Sequence, residues 1–255
     1  MVRAFPCRPS ASIILPRESL YARRQRLPEY RLSWGPPVFI FDCNGVLVDS
    51  ESIVAEVAST ELTRVGFVVA PETVARFFTG RRPTDMLADI EAATQCKLPP
   101  DFATTLAAAT LRRLRAELRA TAHVEHALTW LRGPKCVASS APLDRVRASL
   151  ETTGILRFFE PYLFSASDVP RGKPAPDLFL HVAAKMRVNP AECIVVEDSP
   201  AGVSAAHAAG MVPIGFVGGN HTNPSLGSHL LSAGARTVIA DMRALKSTTV
   251  ALRGW

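Results

Sequence analysis

The sequence predicts an α/β protein, a doubly wound parallel sheet interrupted early by an all-α insertion. Three observations carry this reading. Short runs such as 38–41 and 193–196 are apolar throughout, which suits strands covered on both faces. From about residue 123 such runs alternate with helical stretches, the rhythm of parallel strand–helix units. Between about 51 and 120 the apolar residues recur at helical spacing and no convincing strand is present.

Residues 1–35 read as a basic arm rich in Pro and Arg. Up to residue 37 the chain carries seven arginines and no lysine against Glu18 and Glu29, so that +5 of the total +6 lies there. The remaining body is near neutral, and the basic balance is no argument for nucleic acid. Six prolines in the same stretch argue against an amphipathic targeting helix. A disordered extension or an upstream start codon is the simpler reading. Ile13, Ile14 and Leu15 make too short an apolar core for a secretory signal.

The apolar run 38–41 stops at Asp42, and a small-residue turn follows. Helices are expected over 52–65, closed by Gly66, and over 71–78, with Pro71 in the first turn and Gly80 behind it. Two more are expected at 84–94 and 100–119. Strands then follow at 135–139, 162–165, 193–196, 212–217 and 237–240, with helices at 142–153, 176–187, 200–209 and 224–233 between them. The expected layout is a core of 36–50 and 121–255 with residues 51–120 as a helical cap.

Composition narrows the class. Hydrophobic residues make up 47% and charged residues 20%, as in a globular protein, and no apolar run approaches the roughly 20 residues that span a bilayer. The five cysteines are widely separated with no Cys-x-x-Cys pair, which points to a reducing, cytoplasmic setting without disulfides or zinc. Cys43 adjoins Asp42, but strand alternation points it elsewhere, as filler.

Parallel sheets bind ligands beyond the carboxyl ends of their strands. The polar residues of interest fall there: Asp42 follows the first strand, Ser139 ends the second, and Glu197 and Asp198 follow a later one. Taken singly, each has a plain alternative as a turn residue or a helix cap. Three strand ends converging on one crevice are hard to explain as packing. Adjacent carboxylates repel unless a cation lies between them or one points to solvent, and magnesium suits one or two carboxylates with waters and phosphate. Lys173 sits in Gly172-Lys173-Pro174-Ala175-Pro176-Asp177, where two prolines stiffen a loop that holds one ammonium.

Together, Asp42-Cys43-Asn44-Gly45, Val137-Ala138-Ser139-Ser140, the Lys173 string and Val196-Glu197-Asp198-Ser199-Pro200 resemble, in order, the four motifs of the haloacid dehalogenase (HAD) superfamily. The resemblance covers about residues 36–245. It is closest to members with a helical cap after the first motif, the β-phosphoglucomutase and phosphoglycolate phosphatase branch. It implies a Rossmann-like core and phosphoryl transfer, with Asp42 as the nucleophile that forms an aspartyl-phosphate. Lys173, Ser139 and Ser140 are implied as phosphate binders, with one of the two serines, Ser140 in the first reading, free to fill the capping role instead. Mg2+ is implied at Asp42, Asp198 and the backbone carbonyl of Asn44, with Glu197 acting through water. The implied partner is a small phosphorylated metabolite such as a sugar phosphate. No nucleic-acid or membrane partner is expected, and the expected state is a monomer or weak homodimer.

One position departs from the motif. The family's phosphatases carry a second aspartate that protonates the leaving oxygen and then activates water, and here that place is Asn44. An amide cannot exchange that proton usefully, and losing a general acid–base typically costs about 100- to 10,000-fold. The dehalogenase branch also lacks this aspartate but does not depend on a metal, whereas Glu197-Asp198 reads as a magnesium site. In Gly80-Arg81-Arg82-Pro83, the mutases' substrate-phosphate arginine falls at Pro83, so that Arg81 or Arg82 would have to substitute. The reading is a magnesium-dependent phosphatase, weak as written, whose rivals are a phosphomutase and a non-catalytic phosphate-ligand binder. His207 reads as a packing or surface residue, and His221 as a peripheral residue on the crevice side.

Overall fold

The computed structural model describes residues 36–220 and 223–252. The expected arm of residues 1–35 and His221 lie outside the described residues. The order of elements is β1 (Val38–Phe41), α1 (Glu51–Arg64), α2 (Pro71–Phe78), α3 (Pro83–Thr94), α4 (Phe102–Glu117) and α5 (Val124–Trp130). Then come β2 (Lys135–Ser139), α6 (Leu143–Thr152), β3 (Leu163–Ser165), α7 (Asp177–Met186), β4 (Cys193–Glu197) and α8 (Pro200–Ala208). β5 (Val212–Phe216), α9 (Leu226–Ser232), β6 (Thr237–Ile239) and α10 (Leu245–Leu252) complete it.

All six strands are parallel, in the order β3-β2-β1-β4-β5-β6. The fold class is therefore the doubly wound α/β sheet that the alternating runs predict. Strand alternation sends Phe39, Phe41, Val137, Ile194 and Val196 into one apolar cluster, and Val38, Ile40, Cys136, Ala138 and Val195 into the cluster on the opposite face. Both faces are thus buried, which is why these strands carry no polar alternation.

Five helices, α1 to α5, stand between β1 and β2, and among the described residues no strand lies between α1 and α4, the helical insertion. α2 and α3 each begin on a proline, where the missing N–H is harmless and φ is preset. The chain enters and leaves this helical insertion through two paired segments. Val48 bridges Ala120 in antiparallel fashion, the Asp49 N–H donates to the Arg119 carbonyl (3.0 Å), and the Thr121 N–H donates to the Leu47 carbonyl (3.0 Å).

Two helices were absent from the sequence expectation. α5 has seven residues and follows His123, a non-glycine residue at φ 62°, with no side-chain cap to announce it. α10 follows a 3-10 turn and carries no acidic residue at its start. The expected helix over 100–119 contracts to α4, because the N–H of Leu118 already closes the last turn on Leu114. Among the described residues, no helix is long and apolar enough to cross a membrane.

Candidate active site

β1 lies between β2 and β4, and this adjacency assembles the site. Phe41 is in register with Val137 on one side and Val196 on the other, so the residues that follow them emerge side by side. The Asp42 N–H continues the ladder to the Val196 carbonyl (3.0 Å). Asp42, Ser139, Glu197 and Asp198 are all buried at this edge. Asp42, Glu197 and Asp198 each place a carboxylate oxygen within 4.8 Å of the others.

Lys173 enters from the loop ahead of α7. Its Nζ donates to Asp42 Oδ1 (2.5 Å), to the Ala138 carbonyl (3.2 Å) and to Glu197 Oε1. The Phe179 ring lies 5.4 Å from the same nitrogen. The other Glu197 oxygen accepts from Ser199 Oγ (3.1 Å) and the Ser199 N–H (3.4 Å). Ser199 in turn caps α8 by accepting the Gly202 N–H (3.0 Å). Glu197 is therefore braced between an ammonium and a helix cap.

The electrostatics of the cluster are lopsided. Burial pushes the Asp42 carboxyl up to about 6; Lys173 opposes this, Asp198 adds to it, and the Asn44 N–H bond opposes it more weakly. Burial likewise pushes Glu197 up to about 8, with Lys173 opposing and the other two carboxylates adding. For Lys173, burial favours the neutral amine, but Asp42 and Glu197 outweigh it and hold the ammonium well above its ordinary range. Three carboxylates facing one ammonium give this group of four a net negative charge when all ionise. A set of buried, hard oxygen donors with surplus negative charge fits a small divalent cation.

Neither serine supplies the helix cap that the sequence led one to expect. Ser140 does not cap α6, whose N-cap is Pro142 with no side-chain bond. Its hydroxyl donates instead to the Gly80 carbonyl of the helical insertion (2.7 Å). Ser139 Oγ accepts the Ala141 N–H (3.1 Å) and stays within the turn. The reason is Pro142 itself, which places the helix start too far along for either hydroxyl to reach an orphan N–H there.

A cavity of about 460 Å³ opens above the cluster, with Asp42, Asn44, Ser139 and Ser140 in its floor. Its upper wall is apolar, including Val54, Ala58, Met86 and Leu106 of the insertion. Arg81 lines it as well, with its guanidinium bonded to Asp89 (2.5 Å). Arg82 is held by both oxygens of Asp85 (2.8 and 3.0 Å) and reaches the carbonyls of Val169 and Pro170 (3.5 and 3.4 Å). The structure thus gathers Asp42, Asn44, Ser139, Ser140 and Arg81 around one cavity, with Lys173, Glu197 and Asp198 clustered on Asp42. Cys43 is fully buried, and burial pushes its thiol far above the ordinary range, away from nucleophilic use. His207 is exposed on α8, away from the cavity lining.

Sequence reasoning missed Arg145, in the first turn of α6, which lines the same cavity. Its only linear signal was its position six residues after Ser139, and that spacing fits an ordinary outward helix position equally well.

Comparison with known proteins places this arrangement. The profile of the haloacid dehalogenase-like hydrolases matches residues 36–210. The chain is 33% identical over 185 residues to a 6-phosphogluconate phosphatase of Escherichia coli, covering 72% of this chain and 84% of that protein. It is 34% identical over 182 residues to a validoxylamine A 7'-phosphate phosphatase of Streptomyces hygroscopicus, covering 70% and 84%. Among solved structures, a haloacid dehalogenase-like protein of unknown function from Agrobacterium tumefaciens superposes with a TM-score of 0.73 at 38% identity, covering 86% of this chain and 99% of that one. With its sheet order, its strand-end carboxylates and these relatives in agreement, the chain belongs to the haloacid dehalogenase-like hydrolases.

Proposed function

We propose that the chain is a magnesium-dependent phosphatase of a small phosphorylated metabolite, a sugar phosphate or close analogue, with Asp42 as nucleophile. The observation that carries this reading is the buried cluster of Asp42, Lys173, Glu197 and Asp198 beneath a metabolite-sized cavity. The relatives' names, phosphatases of 6-phosphogluconate and of validoxylamine A 7'-phosphate, support the substrate class.

In this reading an Asp42 carboxylate oxygen bonds to phosphorus as the ester P–O bond breaks, and the leaving alkoxide takes a proton. Water then attacks phosphorus of the aspartyl-phosphate, inorganic phosphate departs, and Asp42 returns to its carboxylate. Raised only to about 6, Asp42 is still mostly ionised at neutral pH. Lys173 orients it and adds positive charge where phosphoryl oxygens gather. Asp42, Asp198 and the Asn44 carbonyl would hold the Mg2+, with Glu197 acting through water because its own oxygens are taken by Lys173 and Ser199. When bound, the ion supplies neutralisation of phosphoryl charge.

Asn44 lies in the cavity floor but has no proton to lend and no useful basicity, so the leaving oxygen and the hydrolytic water depend on solvent. α1 to α4 act as a cap whose apolar wall excludes water. Asn44 also favours a second reading, a non-catalytic binder of phosphorylated ligands on the same scaffold. Phosphate release from a panel of sugar phosphates with MgCl2 tests the proposal. The chain is expected to release phosphate slowly and Asp42→Ala not at all; equal release by both removes Asp42 from the role.

A further inference from the structure

Two arginines line the cavity, and they differ in what holds them. Arg81 is paired with Asp89 at 2.5 Å. Arg145 Nε is sealed from solvent and has no hydrogen-bond partner among the described residues. Its backbone N–H is engaged with Asp144 Oδ1 (2.8 Å). Burial lowers the guanidinium from its ordinary range, although Glu51, Cys43, Asp144 and Asp42 act against this through space. A buried, unsatisfied charged donor is costly, and where one persists a function is a sound explanation. The side chain that carries it lines the cavity that has Asp42 in its floor.

We propose that Arg145 is the anion-binding residue of this cavity, taking an oxyanion of the substrate, phosphoryl or carboxylate, in a charge-assisted hydrogen bond. The planar guanidinium suits either group by presenting parallel N–H donors. Arg81, one of the two arginines the sequence offered for the substrate, is the weaker choice, because it is already paired with Asp89. The inference rests on the phosphatase reading only in that the ligand is a phosphorylated metabolite; it does not require turnover.

Calorimetric titration of inorganic phosphate, glucose 6-phosphate and 6-phosphogluconate, with MgCl2 present, tests it on the full chain, Arg145→Gln and Arg145→Lys. Arg145→Gln is expected to weaken binding by about 10- to 100-fold, and Arg145→Lys to recover part of the loss. Equal loss for all three ligands assigns Arg145 to the transferring phosphoryl group. Loss confined to 6-phosphogluconate assigns it to a carboxylate on the leaving portion. The melting temperature of Arg145→Gln should equal or exceed that of the parent, because a sealed donor without a hydrogen bond is removed; a structural arginine would lower it. Unchanged affinity for all three ligands in Arg145→Gln overturns this inference alone. Failure of the parent chain to bind any of them overturns the phosphatase reading as well.

Discussion

The carboxylate of Glu197 occupies the space that a side chain at Gly202 would need; a Cβ built there collides with the Glu197 carboxyl group. Gly202 lies in the first turn of α8, and its N–H is the one that Ser199 Oγ caps. One small residue therefore lets the helix start close over the carboxylate that braces Lys173. Gly202→Ala should push Glu197 aside, at an overpacking cost of about 1–3 kcal/mol. Urea denaturation should show that loss, and phosphate affinity should fall with it. Unaltered stability and affinity would mean that Glu197 can move without consequence.

Lys173 carries a positive charge that is paired with both Asp42 and Glu197. Lys173→Met keeps the length of the side chain but strands Asp42 and Glu197 as buried, unpaired carboxylates. Breaking such a pair typically costs about 3–5 kcal/mol. Equilibrium unfolding without metal should show a loss of that order, and added MgCl2 should recover part of it. A variant as stable as the parent would contradict the ion-pair account.

The same cluster predicts an unusual pH response. Asp42 and Glu197 are raised in the folded state, chiefly by burial, to about 6 and about 8. Between about pH 4 and 8 the folded cluster therefore binds more protons than the unfolded chain, so its contribution to stability is present in acid and fades as pH rises. Lys173 is raised from an already high value, so it does not titrate in that window. Without metal, the parent should lose more stability from pH 5 to pH 8 than Glu197→Gln does. MgCl2 should help most at pH 8, where the carboxylates are ionised. A larger loss in Glu197→Gln would reverse the assignment.

Much of the sheet was legible because each central strand is an unbroken apolar run bounded by turn residues. Asp42, Ser139, Glu197 and Asp198 were legible as strand-end residues for the same reason. The parts that were not legible depend on tertiary geometry. No local pattern tells that Ser140 reaches Gly80 sixty residues away, or that Arg81 is taken by Asp89. Arg145 looks like a routine helix position until the cavity wall is seen around it. α5 and α10 escaped because neither shows a capping residue or a long amphipathic stripe.

The central claim is that this site has its nucleophile and its charge scaffold and lacks only a proton shuttle. Asn44→Asp restores that shuttle without altering the other residues of the cluster. Steady-state phosphate release with MgCl2, on whichever sugar phosphate the parent binds best, is the direct measurement. The account predicts a rise in kcat of about 100- to 10,000-fold, abolished again when Asp42→Ala is added. A kcat for Asn44→Asp no higher than the parent's would contradict it and leave the cavity as a binding site.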